Sequence, residues 1–233
     1  GELSSGDADL YVDAKATYSH AVLDMNDDGV PEFYGGDLDR LYRMDLDGTG
    51  EATPTDYLKL TGAPTMMEAC DTDGDGRKEL VSARHGWGEE EHLHVFRSWP
   101  DSGYYEDADL VISLGQAQLG EESTGLGCAD LDGDGTEEVF LAARIAGGFW
   151  EVMVLDLSGT GHKALANVLS HSVPLPVPHG HWPEAGTGVA TGSGDLDGDG
   201  YPDLAFATDR MVGQQGWSEE GVLVVLTSLR DLE

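Results

Sequence analysis

The chain has 233 residues and a formal net charge of −33, with 45 acidic against 12 basic side chains. So acidic a protein is excluded as a nucleic-acid binder, because neutralising phosphates requires a basic surface. No segment approaches the roughly 20 consecutive apolar residues that a membrane-spanning helix needs. The 33 glycines indicate many tight turns, and the length permits a single domain with a substantial core.

The first predicted element is a strand over residues 8–14. Its pattern, Asp7-Ala-Asp-Leu-Tyr-Val12, is repeated by Asp107-Ala-Asp-Leu-Val-Ile112, which also reads as a strand. The chain starts at Gly1 without Met, so we expect a leader or a neighbouring domain to precede it in the full protein.

Four acidic loops of one pattern follow in chain order, beginning at residues 24, 71, 130 and 195. Each has oxygen-bearing side chains at loop positions 1, 3, 5 and 9 and a glycine at position 6. A chain that turns around a point presents its odd-numbered side chains to that point, and the carbonyl at position 7 can join them. The predicted ligands are Asp24, Asn26, Asp28, Val30 and Glu32 in loop 1; Asp71, Asp73, Asp75, Arg77 and Glu79 in loop 2; Asp130, Asp132, Asp134, Thr136 and Glu138 in loop 3; and Asp195, Asp197, Asp199, Tyr201 and Asp203 in loop 4.

Clustered hard oxygens are the ligands that Ca²⁺ prefers, at about 2.3–2.6 Å, so the loops predict about four calcium ions. An EF-hand is excluded, because its loop needs a Glu at position 12 and flanking helices. Position 12 here holds Gly35, Ser82, Leu141 and Phe206, and short apolar strands follow each loop. The loops therefore connect β-strands.

These loops and strands resemble the FG-GAP or VCBS-type repeat, the calcium-binding blade of integrin α-subunit propellers and many bacterial surface proteins. The resemblance covers almost the whole chain and implies an all-β propeller of four four-stranded blades. In each blade the calcium loop would join the innermost strand to the second strand. Family propellers usually have seven or eight blades, and this chain departs from them in having four loops.

The loop intervals predict one domain over residues 1–233, with blades at about 17–61, 65–114, 125–170 and 188–227. The last blade lacks its outer strand, and residues 8–14 could supply it beside 222–227. The donor could be the same chain, closing a ring, or the neighbouring chain, giving a larger ring or a filament. A fragment of a longer propeller is the third alternative.

Two cysteines lie on the predicted inner strands of adjacent blades. Cys70 precedes its loop by one residue and Cys128 precedes its loop by two. A disulfide near the propeller axis and two buried thiols both remain open, because an offset of one residue would point the side chains to opposite strand faces. Constitutive calcium sites favour an extracellular or cell-surface location.

Trp87, Trp150 and Trp217 occupy corresponding turns beside carboxylates, a composition typical of sugar-stacking or protein-contact surfaces. The preferred interpretation is that they cover the ends of blade cores. His179, His181 and Glu184 lie in a proline-rich connection, where incidental histidines are the simpler interpretation. Two weaker acidic turns, at 45–50 and 156–161, lack a position-9 acid and are predicted to be turns without metal.

No nucleophile elbow, phosphate-binding loop or His-Glu-x-x-His motif occurs in the sequence. We therefore expect a non-enzymatic, calcium-stabilised extracellular module for adhesion or structural assembly, with protein partners that include its own copies. The alternatives are a lectin that uses the Trp-bearing face and, less favoured, a polysaccharide-degrading enzyme with His179 or His181 as base.

Overall fold

The computed structural model is all-β and contains several separate sheets. It describes residues 10–12, 19–36, 40–46, 50–52, 56–59, 64–84, 90–101, 103–115, 117, 119, 125–144, 150–174, 189–208, 211–213, 216–218 and 222–226. In chain order the strands are β1 (Leu10–Val12), β2 (Ser19–Leu23), β3 (Glu32–Gly36), β4 (Arg40–Asp45), β5 (Gly50–Ala52), β6 (Asp56–Lys59), β7 (Pro64–Cys70), β8 (Glu79–Arg84), β9 (His92–Phe96), β10 (Leu110–Ser113), β11 (Leu126–Ala129), β12 (Glu138–Arg144), β13 (Trp150–Leu155), β14 (Gly161–Ala164), β15 (Leu169–Pro174), β16 (Val189–Gly194), β17 (Asp203–Thr208), β18 (Met211–Gly213), β19 (Gly216–Ser218) and β20 (Val222–Leu226).

Four antiparallel sheets are built around these strands, one for each acidic loop. The first sheet has the order β2-β3-β4-β6, the second β7-β8-β9-β10 with β14 added beyond β10, the third β11-β12-β13-β15, and the fourth β16-β17-β20. Each acidic loop joins the first two strands of its sheet. Among the described residues, no helix is long and apolar enough to cross a membrane.

The sheets pack in sequence, and the apolar side chains lie between them. One core joins the first and second sheets through residues such as Leu23, Tyr34 and Phe96. A larger core joins the second and third sheets, and a smaller one joins the third to the fourth. Burial along the strands follows from this arrangement. The second sheet lies between two others and every residue of β8 is buried, whereas β2 in the first sheet alternates between buried and exposed positions.

The predicted ring is not seen to close within the described residues. The first strands contact one another in the order β2, β7, β11 and β16, and no comparable contact joins β16 back to β2. Among the described residues, the four sheets therefore follow one another in series, and the faces of the first and fourth sheets turned away from their neighbours are its outer faces; closure of the ring stays a prediction.

One alternative predicted that the N-terminal strand of the same chain would complete the fourth sheet. The structure does not show this pairing among the described residues. β1 instead pairs with β5 in parallel, with Leu10 opposite Gly50. The same arrangement occurs between β10 and β14, where Leu110 lies opposite Gly161. Residues 161–164, inside the predicted limits of the third blade, therefore belong to the second sheet. Both weak acidic turns end on the glycine that starts such a strand.

Candidate metal centres

Each acidic loop is folded by the same set of hydrogen bonds from its backbone amides to its own carboxylates. The position-1 aspartate accepts a bond from the amide of the position-6 glycine, as at Gly76 N to Asp71 Oδ2, 2.9 Å. The position-5 aspartate accepts from the amide at position 7, as at Arg77 N to Asp75 Oδ1, 2.8 Å. The equivalent bonds occur in the other three loops.

The position-9 acid ties the start of the following strand back to the loop. In loop 2 the amide of Thr72 donates to Glu79 Oε2 at 2.7 Å, and the equivalent bond is found in all four loops. These acids lie at the buried base of the loop: Glu79 is 4% exposed and Asp203 is 1% exposed. In loops 1, 2 and 3 this acid also belongs to the group of carboxylates that converge in the turn.

Position 6 requires glycine for a conformational reason. Gly29, Gly76, Gly135 and Gly200 have φ between 85° and 93°, in the left-handed region that side chains rarely adopt. Among the described residues, one non-glycine residue also has a positive φ. It is Asp27, at position 4 of loop 1, with φ 60°, and Asp tolerates this region better than most residues. The turn therefore follows from local sequence.

Carboxylate oxygens converge in every loop to within 4.8 Å of one another. Loop 2 brings together four acids, and each of the other loops brings together three. The converging groups are Asp24, Asp28 and Glu32; Asp71, Asp73, Asp75 and Glu79; Asp130, Asp132 and Glu138; and Asp195, Asp197 and Asp199. Among the predicted acidic ligands, Asp134 and Asp203 lie in their loops but outside these tightest groups, and the side chain of Asn26 is hydrogen-bonded to Asp28.

The electrostatics of the loops fit a divalent cation. Burial, followed by the charges of Asp132 and Asp134, raises the pKa of Glu138 to about 7. Burial also raises the pKa of Glu79, and the charge of Asp73 adds to this effect. Carboxylates held together away from water resist ionisation unless a cation lies among them. An all-oxygen donor set of this kind matches Ca²⁺ in hardness.

The loops also contact one another, which sequence reasoning missed. Glu137 of loop 3 accepts a bond from the amide of Asp71 at 2.8 Å, and its own amide donates to the carbonyl of Asp71 at 2.8 Å. Lys78 of loop 2 forms an ion pair with Glu137. Glu137 is at position 8 of its loop, and no motif marks this position as a contact with the preceding loop. The only signal in the sequence was the opposite charge of Lys78, at position 8 of loop 2.

Arg97 makes a second connection between the second and third sheets. Its Nε donates to Asp73 Oδ2 at 2.9 Å, and its Nη1 donates to the carbonyl of Gly159 at 2.9 Å. One guanidinium thus joins a predicted metal ligand in loop 2 to the 156–161 turn beside the third sheet. The fork of guanidinium donors suits such a bridge.

Cys70 and Cys128 form a disulfide between β7 and β11, with their Cα atoms 5.9 Å apart. Their opposite strand faces are the reason the bond forms rather than an obstacle to it. Cys70 lies on the face of the second sheet that packs against the third, and Cys128 on the face of the third that packs against the second. Although Glu137 lies beside these sulfurs, the bond leaves no thiolate there to hold a metal.

The described structure does not test the other candidate residues. Trp87, His179, His181 and Glu184 lie outside the described residues, and Trp150 and Trp217 are described only as parts of β13 and β19. No protein-family model matches the chain. The resemblance to calcium-binding propeller blades therefore depends on the loop residues and their strands.

Proposed function

We propose that this protein is a calcium-stabilised, non-enzymatic extracellular module for adhesion or structural assembly, built as a four-bladed propeller-type repeat array. The observation that carries the proposal is the repeated loop geometry, in which one hydrogen-bond scheme gathers three or four acids within 4.8 Å in all four loops. Each sheet then has a metal site where its two innermost strands meet.

The position of the loops supports a structural role for the ions. Each loop joins the first two strands of a sheet. Loops 2 and 3 contact each other through Glu137, and Arg97 joins loop 2 to the 156–161 turn. An ion in the loop would neutralise the repulsion within it and hold both strands. The disulfide supports an oxidising, extracellular compartment, where such bonds persist.

Calcium titration by calorimetry tests the proposal. We expect about four ions per chain and a melting temperature that falls sharply when a chelator is added. Asp132→Ala removes a ligand of loop 3 and should lower the stoichiometry by one ion. Asp27→Asn is the matched control, because it removes an acid from position 4 of loop 1 without removing a predicted ligand.

An unchanged melting curve in excess chelator would contradict the proposal. A glycan-binding screen on the calcium-loaded protein addresses the alternative. Glycan binding that is lost in Trp217→Ala would favour a lectin, and release of an unsaturated sugar product would favour an enzyme.

A further inference from the structure

The three internal interfaces between sheets share one contact pattern. The residue at loop position 2 points toward the following sheet and is buried by it: Met25 is 6% exposed and Leu131 is 5% exposed. Thr72, at this position in loop 2, is fully buried. A position-2 side chain therefore loses its solvent contact when another sheet follows.

The loops themselves meet through positions 4 and 7. Asp27 Oδ2 lies 3.8 Å from Arg77 Nη2, which joins position 4 of loop 1 to position 7 of loop 2. A Cβ placed on Gly74 would lie 3.0 Å from Thr136 Oγ1, and one on Gly133 would lie 2.8 Å from Tyr201 Cε1. Position 4 of each loop therefore touches position 7 of the next.

The fourth sheet offers this same surface with nothing against it in the described residues. Leu196, at position 2 of loop 4, is 60% exposed. A Cβ on Gly198, at position 4, would have no atom within 4 Å. Ala205 and Ala207 face away from the third sheet and are half-buried, whereas Phe206 faces the third sheet and is 2% exposed.

The first sheet offers the complementary surface at the other end of the series. Val22 and Tyr57 lie on the face turned away from the second sheet and are 49% and 55% exposed. His20 on the same face is also exposed, and Val30 at loop position 7 is half-buried. The two surfaces that meet at an internal interface are thus both present, one on the outer face of the first sheet and one on the outer face of the fourth.

The strand pairing identifies how the ends would join. The pair β10 and β14 places the outer strand of the second sheet beside a segment that belongs in sequence to the third. The pair β1 and β5 has the same parallel form and the same leucine–glycine register. β1 therefore lies where the outer strand of a sheet preceding the first would lie, while β20 pairs on one edge with β17 and has no outer strand among the described residues.

We propose that a second copy of this chain docks its first sheet onto the outer face of the fourth sheet, with its β1 beside β20. Continuity with the three internal interfaces identifies this partner, because the two exposed faces repeat the two sides of each internal interface. Leu196 would be buried as Met25 and Leu131 are, and Gly198 would meet Val30 of the second copy. The docking rests on the proposed calcium-loaded state. Each copy has a net charge of −33, so bound cations are needed to reduce the repulsion between the acidic loops of the two copies.

Cysteine cross-linking between separately purified variants tests this contact. Gly198→Cys and Val30→Cys are mixed in millimolar calcium under mild oxidation, where a disulfide between them can only join two chains. The native cysteines are already paired with each other. Asp27 shows that position 4 accepts a side chain at positive φ. We expect a covalent dimer of the two variants. Gly198→Cys mixed with Thr136→Cys is the control and should give none, because Thr136 already faces Gly74.

The double variant Val30→Cys/Gly198→Cys separates the two ways of joining the ends. Covalent dimers and longer oligomers support docking of a second copy. An internally cross-linked monomer would overturn the proposal and indicate closure within one chain. A wild-type chain that remains monomeric by light scattering at high concentration in calcium would also overturn it.

Leu196→Arg provides a measurement that does not depend on cross-linking. A charge placed in the buried contact should weaken self-association more than about tenfold, and Leu169→Arg, on the exposed side of the outer strand of the third sheet, should leave it unchanged. Calcium stoichiometry measured on the same samples distinguishes the two proposals. A protein that binds calcium but does not associate refutes the docking alone, and one that binds no calcium refutes the proposed function.

Discussion

Loop 2 and loop 4 have the same residue pattern but different surroundings. In loop 2, Thr72 is fully buried, Asp71 is 9% exposed, and Glu137 and Arg97 hold the loop against the third sheet. In loop 4, Leu196 is 60% exposed, and Asp195, Asp197 and Asp199 are also exposed. The internal hydrogen bonds of the two loops are nevertheless the same.

The difference shows that the loop conformation is local, whereas its stabilisation depends on the next sheet. A loop that is covered on one side excludes water from its carboxylates and gains contacts that resist opening. A loop at the end of the series has the same turn with fewer restraints. Local opening is expected where buried contacts are few, so loop 4 should open before loop 2.

Removing the disulfide should have the largest effect on the covered region. Cys70→Ser/Cys128→Ser takes away a bond across a separation of 58 residues, at an expected cost of about 2–5 kcal/mol in the free energy of unfolding. The second and third sheets should become easier to separate, while loop 4 changes little. Chemical denaturation together with hydrogen exchange measures both effects. Protection lost equally in all four sheets would contradict this interpretation.

Paired substitutions in loops 2 and 4 compare the two environments directly. Asp71→Ala should cost about 3 kcal/mol in calcium, because it leaves the amides of Gly74 and Gly76 without their acceptor in a loop whose first residue is buried against the third sheet. Asp195→Ala removes the equivalent ligand from the exposed loop and should cost about 1 kcal/mol. Thermal unfolding of both variants beside wild type checks the order. Equal losses would show that the neighbouring sheet adds nothing to loop 2.

Arg97→Gln tests a bridge that loop 2 has and that loop 4 lacks among the described residues. It should lower the free energy of unfolding by about 1–2 kcal/mol, because it leaves Asp73 and the carbonyl of Gly159 without their donor. The change should also alter calcium affinity at one site in titrations. Arg77→Gln is the control, since Arg77 lies 3.8 Å from Asp27 in an exposed ion pair of small energetic value. A smaller effect for Arg97 than for Arg77 would be inconsistent with the bridge.

The smallest effect is a pH dependence in the core between the first two sheets. His94 is 1% exposed, and burial, followed by the charges of His92, Arg84 and His162, holds its pKa well below the ordinary value. The unfolded chain takes up a proton below about pH 6.5 while the folded chain resists it, so stability falls as the pH drops below that value, by at most about 1.4 kcal/mol per unit.

His94→Phe should remove this part of the pH dependence, because Phe keeps the ring contacts with Phe96 and Tyr105 without a titrating group. Measurements in saturating calcium from pH 7.5 to 5 should show the variant gaining stability relative to wild type as the pH falls. A difference between the two proteins that stays constant over this range would rule out His94 as the source.

The acidic loops and the strands around them were predictable from sequence because their causes are local. Glycine at position 6, acids at positions 1, 5 and 9, and an apolar run after each loop determine the turn and the hairpin without reference to distant residues. Register within each hairpin follows in turn, since the loop length sets which residues are opposite, as at Val22 and Phe33 or Ser193 and Leu204.

Relations between sheets could not be predicted in the same way. Cys70 precedes its loop by one residue and Cys128 by two, which places them on opposite faces of equivalent strands and by itself argues against a disulfide. When two sheets stack face to face, opposite strand faces are the ones that meet, so the offset allows the bond. The likeness of β1 to β10 is visible in the sequence, but their parallel pairing with β5 and β14 is seen only in the structure.

The sequence by itself determined four turns with converging carboxylates and the strands that they connect, because backbone conformation and alternation act over a few residues. Only the tertiary structure decided which face of each sheet is covered, which loop touches which, and in what order the sheets pack. Those outcomes depend on packing between segments separated by 50 or more residues, such as the 59 between Lys78 and Glu137, and no local pattern specifies such contacts.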